Sequence, residues 1–400
     1  MTDRALCIDQ GHDPQSASGS CRTIPPRNGL GGERWLALTL LALPWLVTVL
    51  CWRELIPRQP LAGLTLLPGL GTAALLLHHL HRSLGRNHRP GEEGLLFPTL
   101  GLANWVTLLR GSAIVALAGF LPLALPSAGA LHGPLAWVPG TLYLLVGLAD
   151  LLDGRLARRS GRVTELGKAL DTATDAAGLL IASLLAVLLG RLPLPYLLVG
   201  LAYYPFVLGI WLRERRGRVV KPLQPRPYSR IIAGFQMALV GVALLPLITP
   251  LTLAIAAYLC MTPLLLGFLR DWLVVSGRLL TDSQHQTIWD RWAAELWTRA
   301  LPPLLRVFLV GSLLTPLLSQ PRPSLASPGQ DAIAFCLLLI GMGLLGRLAA
   351  LVLALIIAIT LVPVEPHSLL LFGISLTLAL TGTGPYSLWS PEEAMLYRKR

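Results

Sequence analysis

Long apolar stretches alternate along this chain with short, strongly polar loops. The stretches fall near 35–55, 61–80, 103–125, 135–152, 171–190, 193–213, 230–249, 251–275, 301–318, 332–346, 348–363 and 367–383. Most reach the roughly 17–25 residues that a helix needs to cross a bilayer. The two on either side of Arg347 are short and read equally well as one broken helix. Backbone polar groups in lipid must be satisfied within their own segment, so open sheets cannot span it. The pattern therefore predicts an all-α, polytopic transmembrane helical bundle.

Composition agrees: 54% of residues are hydrophobic, and mean hydropathy is +0.62. A net charge of +12 would suit a nucleic-acid binder, but its placement argues otherwise. Arg82, Arg86 and Arg89 share one loop; Arg155, Arg158, Arg159, Arg162 and Lys168 share a second; Arg213, Arg215, Arg216, Arg218, Lys221, Arg226 and Arg230 share a third. The loops between them hold only Arg53 and Arg58, His132, Arg191 and Arg322. This alternation is the positive-inside pattern and puts the basic loops on the cytoplasmic side. Anionic lipid headgroups, not nucleic acid, are then the expected partners of the charge.

Cys7, Cys21, Cys51, Cys260 and Cys336 form no disulfide framework, and the last three read as small core residues within apolar stretches. Residues 1–33 are polar and rich in Gly, Ser and Pro, which predicts a disordered cytoplasmic tail. Cys7, His12 and Cys21 in that tail lack metal-site spacing. His78, His79, His81 and His88 follow the second stretch and read as interfacial residues at a helix end.

The chemistry concentrates between residues 150 and 175. Asp150, Asp153, Gly154, Ala157 and Arg158 end one apolar stretch, and Gly167, Asp171 and Asp175 begin the next. Ionisable groups at such places are costly and mark function by default. Asp150 and Asp153 are three apart, Asp171 and Asp175 four apart, so each pair shares a helix face. A short basic loop joins the helices and lets the two faces converge. Four carboxylates in one pocket need cations between them, and hard divalent ions with oxygen ligands, Mg²⁺ or Mn²⁺, suit the task. Two such ions can clamp a transferring phosphoryl group. Gly154 and Gly167 clear side chains from where a phosphate must approach the backbone, and Arg158 offers it a planar fork. Pairing of the acids with the loop arginines would account for some carboxylates, but not for the glycine, alanine and arginine at their offsets.

The stretch from Asp150 to Asp175 resembles the full signature of the CDP-alcohol phosphatidyltransferases, with every defining position present. Asn104, Thr107 and Arg110 on the preceding stretch resemble a pattern on that family's first core helix. The resemblance covers about 98–278 and implies a six-helix core; by the apolar stretches, two N-terminal and about four C-terminal helices flank it. It implies that Asp150, Asp153, Asp171 and Asp175 hold the metals, with Asp175 also the general base. It implies that Gly154, Ala157, Arg158 and Gly167 line the CDP site, bordered by Asn104, Thr107 and Arg110. Arg230 resembles a basic position near the acceptor and equally fits a membrane anchor. The implied reaction transfers a phosphatidyl group from a CDP-alcohol, with CDP-diacylglycerol favoured, to an acceptor alcohol, releasing CMP. It carries with it a bacterial inner-membrane location and a homodimer, as family members often form.

The acceptor is not readable. Ala176 stands where phosphatidylglycerophosphate synthases often have Lys and inositol-linked members often have Arg. The segment Arg270 to Arg278 is similar to a stretch of the former enzymes but falls two helices late. A glycerol phosphate is the favoured expectation.

Beyond the core, Trp289, Trp292 and Leu296 recur with helical spacing opposite Asp290 and Arg291, predicting an interfacial amphipathic helix over 279–299. The runs Gly341 to Ala350 and Thr381 to Leu388 resemble the DoxX-like membrane family over about 300–393, although Trp389 stands where that family usually has an acid. That resemblance implies four helices and no settled chemistry. The expected organisation is a tail (1–33), two helices and a linker (34–97), the core (98–278), the interfacial helix (279–299) and the DoxX-like region (300–400). The rival expectation is a CDP-lipid-binding protein, transporter or scaffold without turnover.

Overall fold

A computed structural model describes residues 36–37, 39–42, 46, 66–92, 96–125, 131, 133–159, 163–223, 227–278, 300–319, 328–360, 366–382, 384 and 386–389. Side chains at 66, 151–159, 227–228, 230–231, 314–319, 328–330 and 366 are outside this description. The tail, most of the first apolar stretch and the tryptophan segment 279–299 also lie outside it.

Most of the described residues are helical and none forms a strand, so the all-α bundle stands; one isolated bridge joins Leu344 and Trp389. The helices are α1 (Leu66–Ser83), α2 (Leu102–Ala118), α3 (Val138–Arg159), α4 (Glu165–Leu188), α5 (Leu197–Leu201), α6 (Tyr203–Arg215), α7 (Pro227–Ala243), α8 (Pro250–Val275), α9 (Leu301–Ser319), α10 (Pro328–Met342), α11 (Gly346–Thr360) and α12 (Pro366–Thr381). Among the described residues, three segments, Leu102–Ala124, Glu165–Leu188 and Pro250–Val275, are long and apolar enough to cross a membrane, and Leu194–Leu201 with Tyr203–Arg215 makes a fourth if that bent pair is one span. The expected spans at 230–249, 301–318, 332–346, 348–363 and 367–383 correspond to shorter apolar helices, those at 61–80 and 135–152 to α1 and α3, and most of 35–55 lies outside the described residues. The protein is an integral membrane protein.

Two irregularities have local causes, the first of them not expected from the sequence. The stretch at 193–213 bends by 44° between α5 and α6. Pro205 cannot donate to the carbonyl of Leu201, which frees the chain to turn there. The stretches beside Arg347 are two helices, parted at Gly343 (φ +66°) and Leu345 (φ +47°).

By internal packing the chain forms two compact units. The first holds α1, α2, the end of α3 from Leu148 and the start of α4 to Asp175. Here α1 packs on α2, with Leu76 reaching Gly111. Asn87 is fully buried and ties the loop between them, its Nδ2 donating to the carbonyls of Phe97 and Thr99, both at 3.0 Å.

The second unit holds the start of α3 to Gly147, α4 from Ala176, and every later helix. Glycines allow close helix approach in it: the ring of Trp272 lies over Gly209, and Leu144 over Gly241. Tyr196 donates to Gln236 Oε1 at 2.6 Å, and Gln236 Nε2 donates to the Cys260 carbonyl at 2.5 Å, all buried. Arg191 Nη2 donates to the Leu245 carbonyl at 2.6 Å just past α7. Cys260 and Cys336 are buried free thiols, as expected.

Helices α9 to α12 pack in sequence, and α12 also packs on α7 and α8. The two runs singled out in this region meet. Gly343 lies against Ser387, the Leu388 and Trp389 N–H groups donate to the Met342 and Gly343 carbonyls, and Leu345 N–H donates to Trp389. Arg306 donates to the Gly341 carbonyl at 2.6 Å and to Tyr386 at 3.3 Å. Arg347 donates to the Leu380 and Thr381 carbonyls at 2.8 and 3.1 Å, where α12 ends.

Candidate active site

The site lies within the first unit, on α2, the end of α3 and the start of α4. Helix α2 is largely apolar but carries a polar stripe. Asn104, Thr107 and Arg110, each three residues on, are 5%, 3% and 2% exposed. Asn104 Nδ2 donates to the Leu100 carbonyl at 2.6 Å, and Thr107 Oγ1 to Ala103 at 3.1 Å. A positive φ of 83° at Gly101 turns the chain into the helix.

The start of α4 is held from both sides. Thr164 caps it, its Oγ1 accepting from the Gly167 N–H at 3.0 Å. The Glu165 N–H donates to the His88 carbonyl at 3.1 Å, so the loop after α1 supports the same turn. Gly167 has no room for a side chain: a Cβ there would lie 2.7 Å from Asn104 Oδ1 and 3.1 Å from Thr164 Oγ1. This glycine therefore serves the packing of α4 on α2. Lys168 pairs with Glu165 at 2.8 Å on the exposed side.

One turn further on, Asp171 and Asp175 face Asp150 of α3. Carboxylate oxygens of the three lie within 4.8 Å of one another. Arg110 stands among them. Its Nη2 is 2.8 Å from Asp150 Oδ1, its Nη1 is 2.8 Å from Asp171 Oδ1, and its Nη2 also donates to Asp175 Oδ1. The Arg110 side chain is 1% exposed, while those of Asp150 and Asp175 are 32% and that of Asp171 is 43% exposed. The cluster thus has a buried cationic side and an open side from which a ligand can approach. Among the described residues this is the one group of three or more acids, histidines or cysteines that can hold a metal ion. The histidines at the end of α1 form no such group.

Of the residues expected at the site, Asp150, Asp171, Asp175, Asn104, Thr107, Arg110 and Gly167 are placed and come together. Asp153, Gly154, Ala157 and Arg158 continue α3 from Asp150, and their side chains lie outside the described residues, as does that of Arg230 in α7. The described partner of the acids is Arg110 from α2, six residues beyond Asn104. The sequence signal for it was present, since a charge in an apolar helix needs an opposite one. Thr164 and His88 were not anticipated. A threonine just ahead of an acidic first turn marks a helix start, but the His88 contact comes from its backbone carbonyl, which carries no residue-specific signal.

A family model described as CDP-alcohol phosphatidyltransferase matches residues 100–264. A domain of that kind occupies this part of the chain and contains every residue of the expected site. The match ends inside α8, short of α9 to α12. No curated protein and no solved structure matches the chain.

Proposed function

We propose that this protein is a divalent-metal-dependent phospholipid-biosynthetic enzyme that transfers a phosphatidyl group from CDP-diacylglycerol to an acceptor alcohol, a glycerol phosphate being favoured. The observation that carries the reading is the convergence of Asp150, Asp171 and Asp175, inside the matched domain, on one partly open cluster.

The donor set suits Mg²⁺ or Mn²⁺: three carboxylates, all oxygen donors, gathered within 4.8 Å of one another. Asp150, Asp171 and Asp175, with Asp153 from the next turn of α3, would hold one or two such ions. When bound, the cation neutralises charge that builds on the phosphate oxygens during transfer. The rest falls to this chain's own groups. Asp175 takes the proton from the acceptor hydroxyl as its oxygen attacks the phosphorus bearing the lipid alcohol. A new phosphorus–oxygen bond forms, the bond to the oxygen bridging toward the cytidine breaks, and CMP leaves with that electron pair. Gly154, Ala157 and Arg158 flank the donor's phosphates, and Arg230 lies toward the acceptor. Asn104 and Gly167 hold α2 and α4 together at the edge of the site, and Thr107 borders it from α2.

The site faces the cytoplasmic side of the membrane on the charge pattern of the loops, and the family resemblance implies that this membrane is a bacterial inner membrane. The basic segment after α6 binds anionic headgroups in this reading. It is fastened to the end of α8, Arg213 donating to the Val219 and Ser276 carbonyls at 3.0 and 3.1 Å, while Arg215, Arg216 and Arg218 stay exposed. Helices α9 to α12 form a DoxX-like appendage to the transferase.

The test is CMP release by purified protein in nanodiscs. CDP-diacylglycerol and Mg²⁺ or Mn²⁺ are supplied with glycerol 3-phosphate, serine, inositol or inositol phosphate in turn. Release with one acceptor, lost in Asp175→Asn while donor binding persists, is the expected result. Donor binding without turnover on any acceptor would favour a lipid-binding role, and absence of donor binding would overturn the proposal.

A further inference from the structure

We infer that Arg110 is a built-in counter-charge of the acid cluster, one that holds the three carboxylates in place and weakens the binding of a divalent cation to them. The inference rests on the proposed role of Asp150, Asp171 and Asp175 as cation ligands and adds a positioning residue to that site.

The geometry is specific. Both terminal nitrogens of one guanidinium are engaged, and between them they reach all three carboxylates. Arginine suits this because its planar fork presents several donors at once and stays charged when buried. Its place is set from α2, where Thr107 and Asn104 occupy the turns before it on the same buried stripe. Among the described residues this one guanidinium meets three carboxylates, which remain partly exposed on the side away from it.

Two effects of opposite sign then act on cation binding. Arg110 preorganises the carboxylates, which favours binding, and repels a second positive charge beside it, which opposes binding. Preorganisation is the smaller effect. Asp171 and Asp175 are one turn apart on the same helix, and the backbone of α4 already brings them together. Repulsion acts at contact distance on a largely buried group. A charge this close shifts the proton affinity of a carboxylate by roughly 10- to 1000-fold, and a doubly charged ion responds more strongly than a proton does. The cluster thereby keeps its shape without a divalent ion and releases that ion more readily than three bare carboxylates would.

The experiment compares full-length wild type, Arg110→Met and Arg110→Lys in nanodiscs, reading Mn²⁺ affinity by electron paramagnetic resonance and Tm with EDTA or Mn²⁺. Arg110→Met is expected to bind Mn²⁺ about tenfold tighter or more. Its Tm should fall in EDTA and rise further with Mn²⁺ than that of wild type, because at a given concentration L a tighter ligand stabilises the state it binds more, by RT ln(1 + L/Kd). Arg110→Lys keeps the charge without the fork and should fall between the two; it carries the comparison if Arg110→Met does not fold in EDTA. Mn²⁺ bound by wild type, with equal or weaker affinity in the variants, would overturn the inference alone. Mn²⁺ bound by none of the three would overturn the cation site itself.

Discussion

A guanidinium buried in an apolar helix is costly unless opposite charge meets it, and three carboxylates close together are costly unless a cation meets them. Arg110 and the three aspartates resolve both problems with one contact set, so each side depends on the other. Gly167 shows the same economy in a neutral group. Its missing side chain lets Asn104, itself bonded to Leu100, stand between α2 and α4. In Gly167→Ala the new methyl group would press on Asn104 Oδ1, which is buried and held by its own hydrogen bond. Overpacking of this kind costs roughly 1–3 kcal/mol. We expect a lower Tm together with weaker CMP release, since the same displacement reaches Arg110 two turns along α2. An unchanged Tm would show that Asn104 can move aside.

At the level of elements, the site depends on where α4 begins. Thr164 supplies the cap, and the loop after α1 supplies a carbonyl to the same turn. A shift of one residue at this start would rotate Asp171 and Asp175 by about 100° around the helix, away from Asp150. Thr164→Ala should cost about 1 kcal/mol, the usual loss for an N-cap hydroxyl, seen as a reduced Tm, and Thr164→Ser should restore it. Elsewhere the elements are shaped by prolines and glycines at readable places. Pro205 accounts for the bend between α5 and α6, and Gly343 for the break before α11. Arg306 and Arg347 spend their charge on helix-end carbonyls, which lets two arginines sit deep in an apolar region.

For the whole molecule, the sequence suggests a transferase core followed by a separate C-terminal region. Helices α9 to α12 do have their own packing, closed by the meeting of the 341–347 turn with residues 386–389. Yet α12 also rests on α7 and α8, with Leu259 of α8 near Gly373, and both α7 and most of α8 belong to the matched domain. Ending the chain after residue 300 would expose those apolar faces. The expected product retains CMP release, because every proposed site residue lies before residue 231, but melts at a lower temperature than the full chain. Loss of all release in a folded truncated protein would show that the last helices shape the site.

Much was legible in the residues alone. Membrane helices announce themselves through local hydropathy and length, because the cost of an unpaired backbone group in lipid acts on each segment separately. The acid cluster was legible for a related reason: charge near a bilayer is too expensive to persist without a use, and spacings of three and four set its faces. What the tertiary structure decided are the partners across long separations. It is Arg110, some 40 to 65 residues away along the chain, that meets the aspartates. Asn104 is what makes Gly167 necessary, a backbone carbonyl of His88 steadies α4, and Trp389 closes on Leu344. Each of these depends on which helices lie side by side, and that follows from the packing of whole apolar faces, a property no single stretch of sequence contains.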